Sequence, residues 1–168
     1  GLVAGLLGMR PDDERIPDSF EIARKMGLSY SFGIANLTSA HPNSVVLEVK
    51  GKSGRTLEVQ ACSLGGGRIM INRLDGLDVN CSCEIPTLIV HNLDQPGHVA
   101  EVTSMLAHKS VNIANMSLYR DKRGGSAVMV VEMDQPLPKE SLEWLEHLEG
   151  IVKVTYINVT EGEEDDVL

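Results

Sequence analysis

Asn92-Leu93-Asp94-Gln95-Pro96-Gly97, followed downstream by Asn112-Ile113-Ala114-Asn115, decides how this chain folds. An apolar run, Ile85 to Val90, precedes the first piece, and a helical pattern follows it. The second piece opens another strand-like run. Together they spell a strand, a turn that begins a helix, and a strand returning beside the first. The first N–H groups of a helix lack intrahelical partners, so such a turn offers donors to a carboxylate. Asp94 is placed to take an ammonium and Asn112 to bridge to either group, with Gly97, His98 and Ile113 beside them. A small amino acid carries that pair of charges, so the pattern implies a binding site rather than a catalytic one. Asp94 can equally be the cap of the helix that Pro96 and Gly97 begin, and the two roles are compatible. His98, in the first helical turn, is expected to be exposed.

The regular pattern continues outward. Gly97 to Lys109 is expected as a helix with Val99, Val102 and Leu106 on its apolar face. Asn112 to Asp121 is a strand with Ala114, Met116 and Leu118 inward, Gly124-Gly125 a hairpin, and Ser126 to Met133 a third strand. Pro138 begins a second helix striped by Leu142, Leu145 and Leu148. Gly150 ends it, and Ile151 to Val159 is a fourth strand. The order is β-α-β-β-α-β, the ferredoxin-like split unit. Asp78 to Glu84 is polar and patternless, which places a domain boundary near residues 78–86. Before it, Asp12 to Met26 is a helix with Ile16, Phe20, Ala23 and Ile22 inward, ended by Gly27. Leu28 to Leu37 is extended. Asn43 to Val49, Arg55 to Cys62 and Arg68 to Leu74 are strands, the first two joined by the Lys50–Gly54 turn. The fold class is therefore α+β: an N-terminal α+β domain over 1–80, a ferredoxin-like βαββαβ domain over 85–160, and a tail over 161–168.

The chain has 168 residues and a formal charge of −9, which argues against nucleic acid, since phosphate binding needs a concentrated basic face. Part of that charge is a terminal acidic run, Glu161, Glu163, Glu164, Asp165 and Asp166, expected as a solvated tail. No apolar run is long enough to span a bilayer, so no membrane partner is expected. Gly1 to Gly8 is short, lacks a basic leader and resembles the end of a helix, so a truncated or processed cytoplasmic chain is expected. Cys62, Cys81 and Cys83 are odd in number, and a single C-x-C is a weak metal signal. Buried thiols with no metal and no disulfide are expected.

Two further stretches carry chemistry. In Thr38 to Asn43, His41 and Asn43 can orient a carboxylate or move a proton, with Pro42 fixing the turn; chemistry alone favours an ordinary loop. Ser63, Gly65, Gly66, Gly67 and Arg68 can form an anion nest, or simply a glycine-permissive hairpin. The Lys-Ser/Thr ending of a P-loop is missing, and Ser63 has no neighbouring base in sequence, which disfavours a hydrolase. Trp144, beside the Leu stripe, is expected in packing or at a dimer contact.

The element order, the Asp-Gln-Pro-Gly turn and the Asn-Ile-Ala strand resemble the ACT domain over roughly residues 85–160. That resemblance implies side-by-side pairing through the sheets, with an amino acid bound at the seam near Asp94 and Asn112. Gly5 to Met9 with Pro11-Asp12-Asp13, the His41-Pro42-Asn43 turn and Ser63 to Ile71, followed by such a domain, resemble the β chains of bacterial iron–sulfur L-serine dehydratases. The N-terminal part is then similar to their allosteric substrate-binding domain, found also in some D-3-phosphoglycerate dehydrogenases. The resemblance implies an α-chain partner that holds a [4Fe-4S] cluster, dehydration of L-serine to pyruvate and ammonia, and a homodimer sensing L-serine or a related amino acid. It also implies an upstream Ser-Ser-Ser-His-Thr segment, which is not in this sequence. No cofactor is expected on this chain itself. His41 and Asn43 are implied to face the α-chain site or an anion. A free-standing amino-acid sensor or the regulatory end of a serine-pathway dehydrogenase are the alternatives.

Overall fold

Two strands are apolar on both faces, and the architecture follows from them. β5 (Thr87–Leu93) and β7 (Ser126–Met133) are almost continuously buried, as strands are when both sheet faces are covered. Leu88, Val90, Met129, Val131 and Met133 enter one core with Val102, Met105, Leu106 and Leu145 of α3 (His98–His108) and α4 (Lys139–Glu146). Ile89, Val128 and Val130 enter a second core with Ile71, Leu74, Val79, Cys81 and Cys83. Each large apolar side chain so buried contributes about 1.5–3 kcal/mol.

This computed structural model describes residues 1–38 and 40–158. Ser39, the end of the last strand at Val159 and the acidic tail over 161–168 lie outside the described residues. The first sheet is β1 (Ser44–Lys50), β2 (Thr56–Gly65), β3 (Arg68–Leu74) and β4 (Leu77–Cys81), antiparallel in that order. The second has the order β6-β7-β5-β8, also antiparallel, with β6 at Ile113–Arg120 and β8 at Ile151–Ile157. Along the chain this is β5-α3-β6-β7-α4-β8, the expected split unit, and the fold is α+β. Helices cover one face of the second sheet, and the first sheet covers the other.

The chain divides into compact units at Gly1–Asn36 and Leu37–Leu168. The composition change near 78–86 coincides instead with β4 and a short link to β5. Asp75 and Gly76, at φ 45° and 83°, form the tight turn before β4, since a two-residue hairpin of this kind needs positive φ at both centres. Leu77, Val79 and Cys81 then point inward, with Asp78 and Asn80 outward. A period-2 strand was hidden in a stretch that looks patternless.

In the first unit, α1 spans Leu2–Leu6 and α2 spans Ser19–Met26. The helix expected from Asp12 starts later because Pro17 sits in a 3-10 turn, Ile16–Asp18, and supplies no N–H. Gly27 does end α2, left-handed at φ 74°, with Leu28 N–H donating to Ala23 O at 2.9 Å. Ala23 is buried, but Phe20 is exposed and stacks on Tyr30 with ring centroids 5.5 Å apart. On the second sheet, contrary to expectation, Ala114 is exposed at the register shift between Ile113 and Asn115, and Leu118 is exposed near the end of β6, an edge strand. Val99 is exposed likewise, the buried face of α3 being His98, Val102, Met105 and Leu106. Among the described residues no helix is long and apolar enough to cross a membrane.

Candidate functional site

Asp94 leaves the end of β5 and turns toward the β6–β7 hairpin. Its backbone N–H donates to Gly125 O at 2.9 Å. Its Oδ2 accepts the Gly124 N–H at 2.9 Å and an Arg120 N–H at 3.0 Å. Those donors, the Gly124 N–H first, hold the carboxyl below the usual carboxylate range. Asp94 therefore does not cap α3. Gly97 occupies the N-cap at φ 111°, with no side-chain cap hydrogen bond among the described residues, so N–H groups of the opening turn stay available to an anion.

His98 is buried, contrary to the exposed position expected for it. Its Nδ1 meets Glu101 Oε2 at 3.2 Å, and its Nε2 is buried without a partner among the described residues. The ring fits because residue 150 is glycine: a Cβ there would stand 2.5 Å from Nε2. Asn92, absent from the sequence-derived candidates, is 4% exposed. Its Nδ2 donates to Leu93 O at 2.6 Å, and its Oδ1 is buried without a partner among the described residues. The signal was legible: Asn92 continues the inward face of Leu88 and Val90, and an amide at an inward position beside a turn is unusual.

Asn112 and Ile113 are not with this group. Leu93 pairs with Ser126 at the start of β7, whereas Ile113 pairs with Met133 at its end. At about 3.4 Å per residue, the two ends lie roughly 24 Å apart. The reason is topological. β5 and β6 both run antiparallel to β7, and α3 carries the chain back to the far end before β6 begins. There the Asn112 N–H donates to Gln135 Oε1 at 2.7 Å and its Nδ2 to Asp134 Oδ2 at 2.6 Å. Asp94 and Asn112 therefore do not close one site within one chain.

The two sheet edges also differ. Arg55 donates to Val154 O and, at 3.3 Å, to Thr155 Oγ1, covering the outer edge of β8. Lys153 Nζ adds bonds to Thr56 O at 2.9 Å and Asp75 Oδ2 at 2.5 Å. β6, at the other edge, carries half-exposed Leu118. Beside Asp75 a cavity of about 320 Å³ is lined in part by His91, Asp121 and Ser126. His91 faces Asp75 Oδ2 at 3.6 Å, with Lys153 and Arg55 near, and burial pushes its pKa below the usual histidine value despite Asp75. A depressed folded pKa means that the unfolded chain takes the proton first. Stability from this residue is present above pH about 6.5 and falls as the pH drops below it. Urea midpoints measured from pH 8 to 5 are expected to decline, and the His91→Gln chain to decline less.

His41 and Asn43 lie at the opposite end of the first sheet from Arg55. His41 Nδ1 accepts the Asn43 N–H at 3.2 Å, and Asn43 O accepts the Ser63 N–H at 3.0 Å. This brings the turn beside the β2–β3 hairpin, where Gly65, Gly66 and Gly67 take φ of 84°, 63° and 79° and Arg68 is exposed. Ser63 belongs to β2, which runs on to Gly65. The His41 ring thus braces its own loop. Trp144 is 45% exposed on α4.

Residues 86–149 match the ACT domain family. The chain is 33% identical over 156 residues to the probable L-serine dehydratase beta chain of Bacillus subtilis, covering 93% of this chain and 70% of that protein. It is 32% identical over 159 residues to the L-serine dehydratase beta chain of Peptoniphilus asaccharolyticus, covering 94% and 72%. A D-3-phosphoglycerate dehydrogenase of Methanocaldococcus jannaschii is 31% identical over 90 residues, 54% of this chain and 17% of that protein.

Proposed function

Since this chain belongs to the L-serine dehydratase beta chain family, we propose that it is the regulatory and assembly subunit of an enzyme that converts L-serine to pyruvate and ammonia. Residues 85–160 are its amino-acid-sensing ACT domain, and residues 1–80 correspond to the allosteric substrate-binding domain. The dehydrogenase of Methanocaldococcus jannaschii is matched over 17% of its length and that of Bacillus subtilis over 26%, against 70% and 72% for the two beta chains, which favours the dehydratase. The observation that carries the regulatory reading is the uncapped start of α3 beside Asp94, Asn92 and His98. There the helix N–H groups take the carboxylate of L-serine or a related amino acid, and Asp94 Oδ1 takes its ammonium.

Asn112 reaches that site from a second copy. β6 ends at Arg120, which holds Asp94, and begins beside Asn112. A two-fold axis across β6 pairs the strand with itself antiparallel, so the Asn112 end of one copy meets the Asp94 end of the other. The covered β8 edge leaves β6 as the edge for this pairing.

The alpha chain would hold a [4Fe-4S] cluster, which supplies Lewis acidity to the serine hydroxyl. This chain's cysteines do not fit that role: Cys81 and Cys83 meet, but Cys62 lies apart on β2, and even a cluster with one iron left open to the hydroxyl needs a third thiolate. His41, Asn43 and the Ser63–Arg68 turn form the polar end of the first sheet, which we assign to the alpha chain or a bound anion.

Calorimetry with L-serine, and with D-serine and glycine as controls, tests the site. Stereoselective binding is expected, lost in Asp94→Ala and in Asn112→Ala separately. Mixing the two variants should restore about a quarter of the wild-type sites, because half of the dimers are mixed and each has one intact site. No recovery on mixing would remove the second copy from the site. Unchanged binding in Asp94→Ala would remove Asp94.

A further inference from the structure

The link between the two sheets contains a feature that amino-acid binding does not use. Cys81 ends β4, Cys83 follows two residues later, and their Sγ atoms are 3.1 Å apart. In an extended strand, residues i and i+2 stand about 7 Å apart. Cys83 departs from that conformation with φ 54°. An L side chain rarely takes this left-handed region, and here it turns the two thiols toward each other. We propose that Cys81 and Cys83 are an oxidisable dithiol, closed to a C-x-C disulfide by a hydroperoxide.

The geometry asks for little movement. A disulfide needs its sulfurs about 2.05 Å apart, so the pair must approach by roughly 1 Å. Both thiols are free, as is Cys62, which lies on β2 opposite Ser44 and Met70 and outside this contact. The pair is buried, but its cover is thin: Ser82 between them is half-buried, and Glu84 and Ile85 are exposed. Ser82 Oγ donates to Glu132 Oε1 at 3.3 Å and accepts the Glu84 N–H at 3.4 Å, so two long hydrogen bonds hold the cover.

The two sulfurs have different roles. Cys83 S–H hydrogen-bonds Cys81 and holds its pKa below the usual thiol value, whereas Cys83 is pushed well above it by the same contact and by burial. The thiolate therefore forms on Cys81, and the thiolate is the nucleophile. Cys81 S⁻ attacks the outer hydroperoxide oxygen, the O–O bond breaks, and the alkoxide leaves and takes up from solvent the proton that Cys81 had released, so that Cys81 becomes a sulfenic acid and the alkoxide an alcohol. Cys83 sulfur then attacks Cys81 sulfur. The S–O bond breaks, and hydroxide leaves with the Cys83 proton as water. Two thiols lose two electrons, and the hydroperoxide becomes alcohol and water. The product ties the end of β4 to the link entering β5.

Treating the reduced, folded chain with hydrogen peroxide, then alkylating and digesting with trypsin, tests this. The peptide Leu74–Lys109 should lose two hydrogens and resist alkylation, while Thr56–Arg68, with Cys62, alkylates fully; dithiothreitol should reverse the change. Cys62→Ser should behave as wild type, and Cys83→Ser should leave a sulfenic acid at Cys81 that dimedone traps. Full alkylation of Leu74–Lys109 after native peroxide treatment would overturn the proposal. So would closure seen only in urea, or a bond to Cys62.

Discussion

The Leu118→Glu chain is expected to fold normally, sediment as a monomer and show no measurable L-serine binding. Leu118 is 48% exposed on β6, so within one chain its replacement by a charge removes little packing, and the folding free energy of the monomer itself should change by no more than about 0.5 kcal/mol. In the proposed pair it lies along the seam. Two-fold symmetry introduces the glutamate twice, and a desolvated, unpaired carboxylate costs several kcal/mol. Dimerisation should weaken by at least about 100-fold, equivalent to ~2.7 kcal/mol. Binding goes with it, since the Asp94 end then has no Asn112. Leu118→Ala, which introduces no charge, should keep both the dimer and the ligand. Sedimentation and calorimetry on the two variants check this. A dimeric Leu118→Glu chain that binds serine would place the seam elsewhere.

Gly150→Ala is expected to be strongly destabilising for a change of a single methyl group. At φ 81° an L side chain costs about 1–2 kcal/mol. The new Cβ also lands 2.5 Å from His98 Nε2, on a ring 7% exposed with little free space around it. Displacing the ring breaks its contact with Glu101 and disturbs the opening turn of α3. The total should reach about 3 kcal/mol, which for a chain of this size lowers Tm by roughly 6–12 °C. Gly54→Ala is the control. Its φ is 85° and nothing lies within 4 Å, so it should lose only the conformational part. His98→Ala made together with Gly150→Ala should recover the steric part, measured as a coupling between neighbours. Equal losses in Gly150→Ala and Gly54→Ala would show that the ring gives way without cost.

Much of the ACT half was legible because its signals are local. The Asp94–Gly97 turn, Gly124-Gly125 and the Leu142–Leu145–Leu148 stripe each fix an element within a few residues. β4 was missed for an opposite reason. Asp78 and Asn80 occupy the outward positions of a strand whose inward face needs the first sheet to exist before it has meaning. Phe20, Val99 and Leu118 were expected inside by periodicity, but period alone does not say whether a neighbour arrives to cover that face. Asn92 was readable as a polar residue on an apolar face, yet its significance depends on the unpaired Oδ1, which only packing shows.

By itself the sequence determined which residues turn, which alternate and which stripe a helix, because backbone conformation and side-chain period are properties of neighbouring residues. It thereby determined the βαββαβ order and the α+β class. Tertiary structure alone decided that Asp94 is bound to Arg120 and Gly124, that His98 is buried against Gly150, and that Cys81 meets Cys83. It also decided that Asp94 and Asn112 stand at opposite ends of β7. The reason is that adjacency in a motif says nothing of direction. Two strands parallel to each other and antiparallel to the one between them carry their starting residues to the same end of the sheet. A residue at the end of one and a residue at the start of the other are therefore separated by the length of a strand.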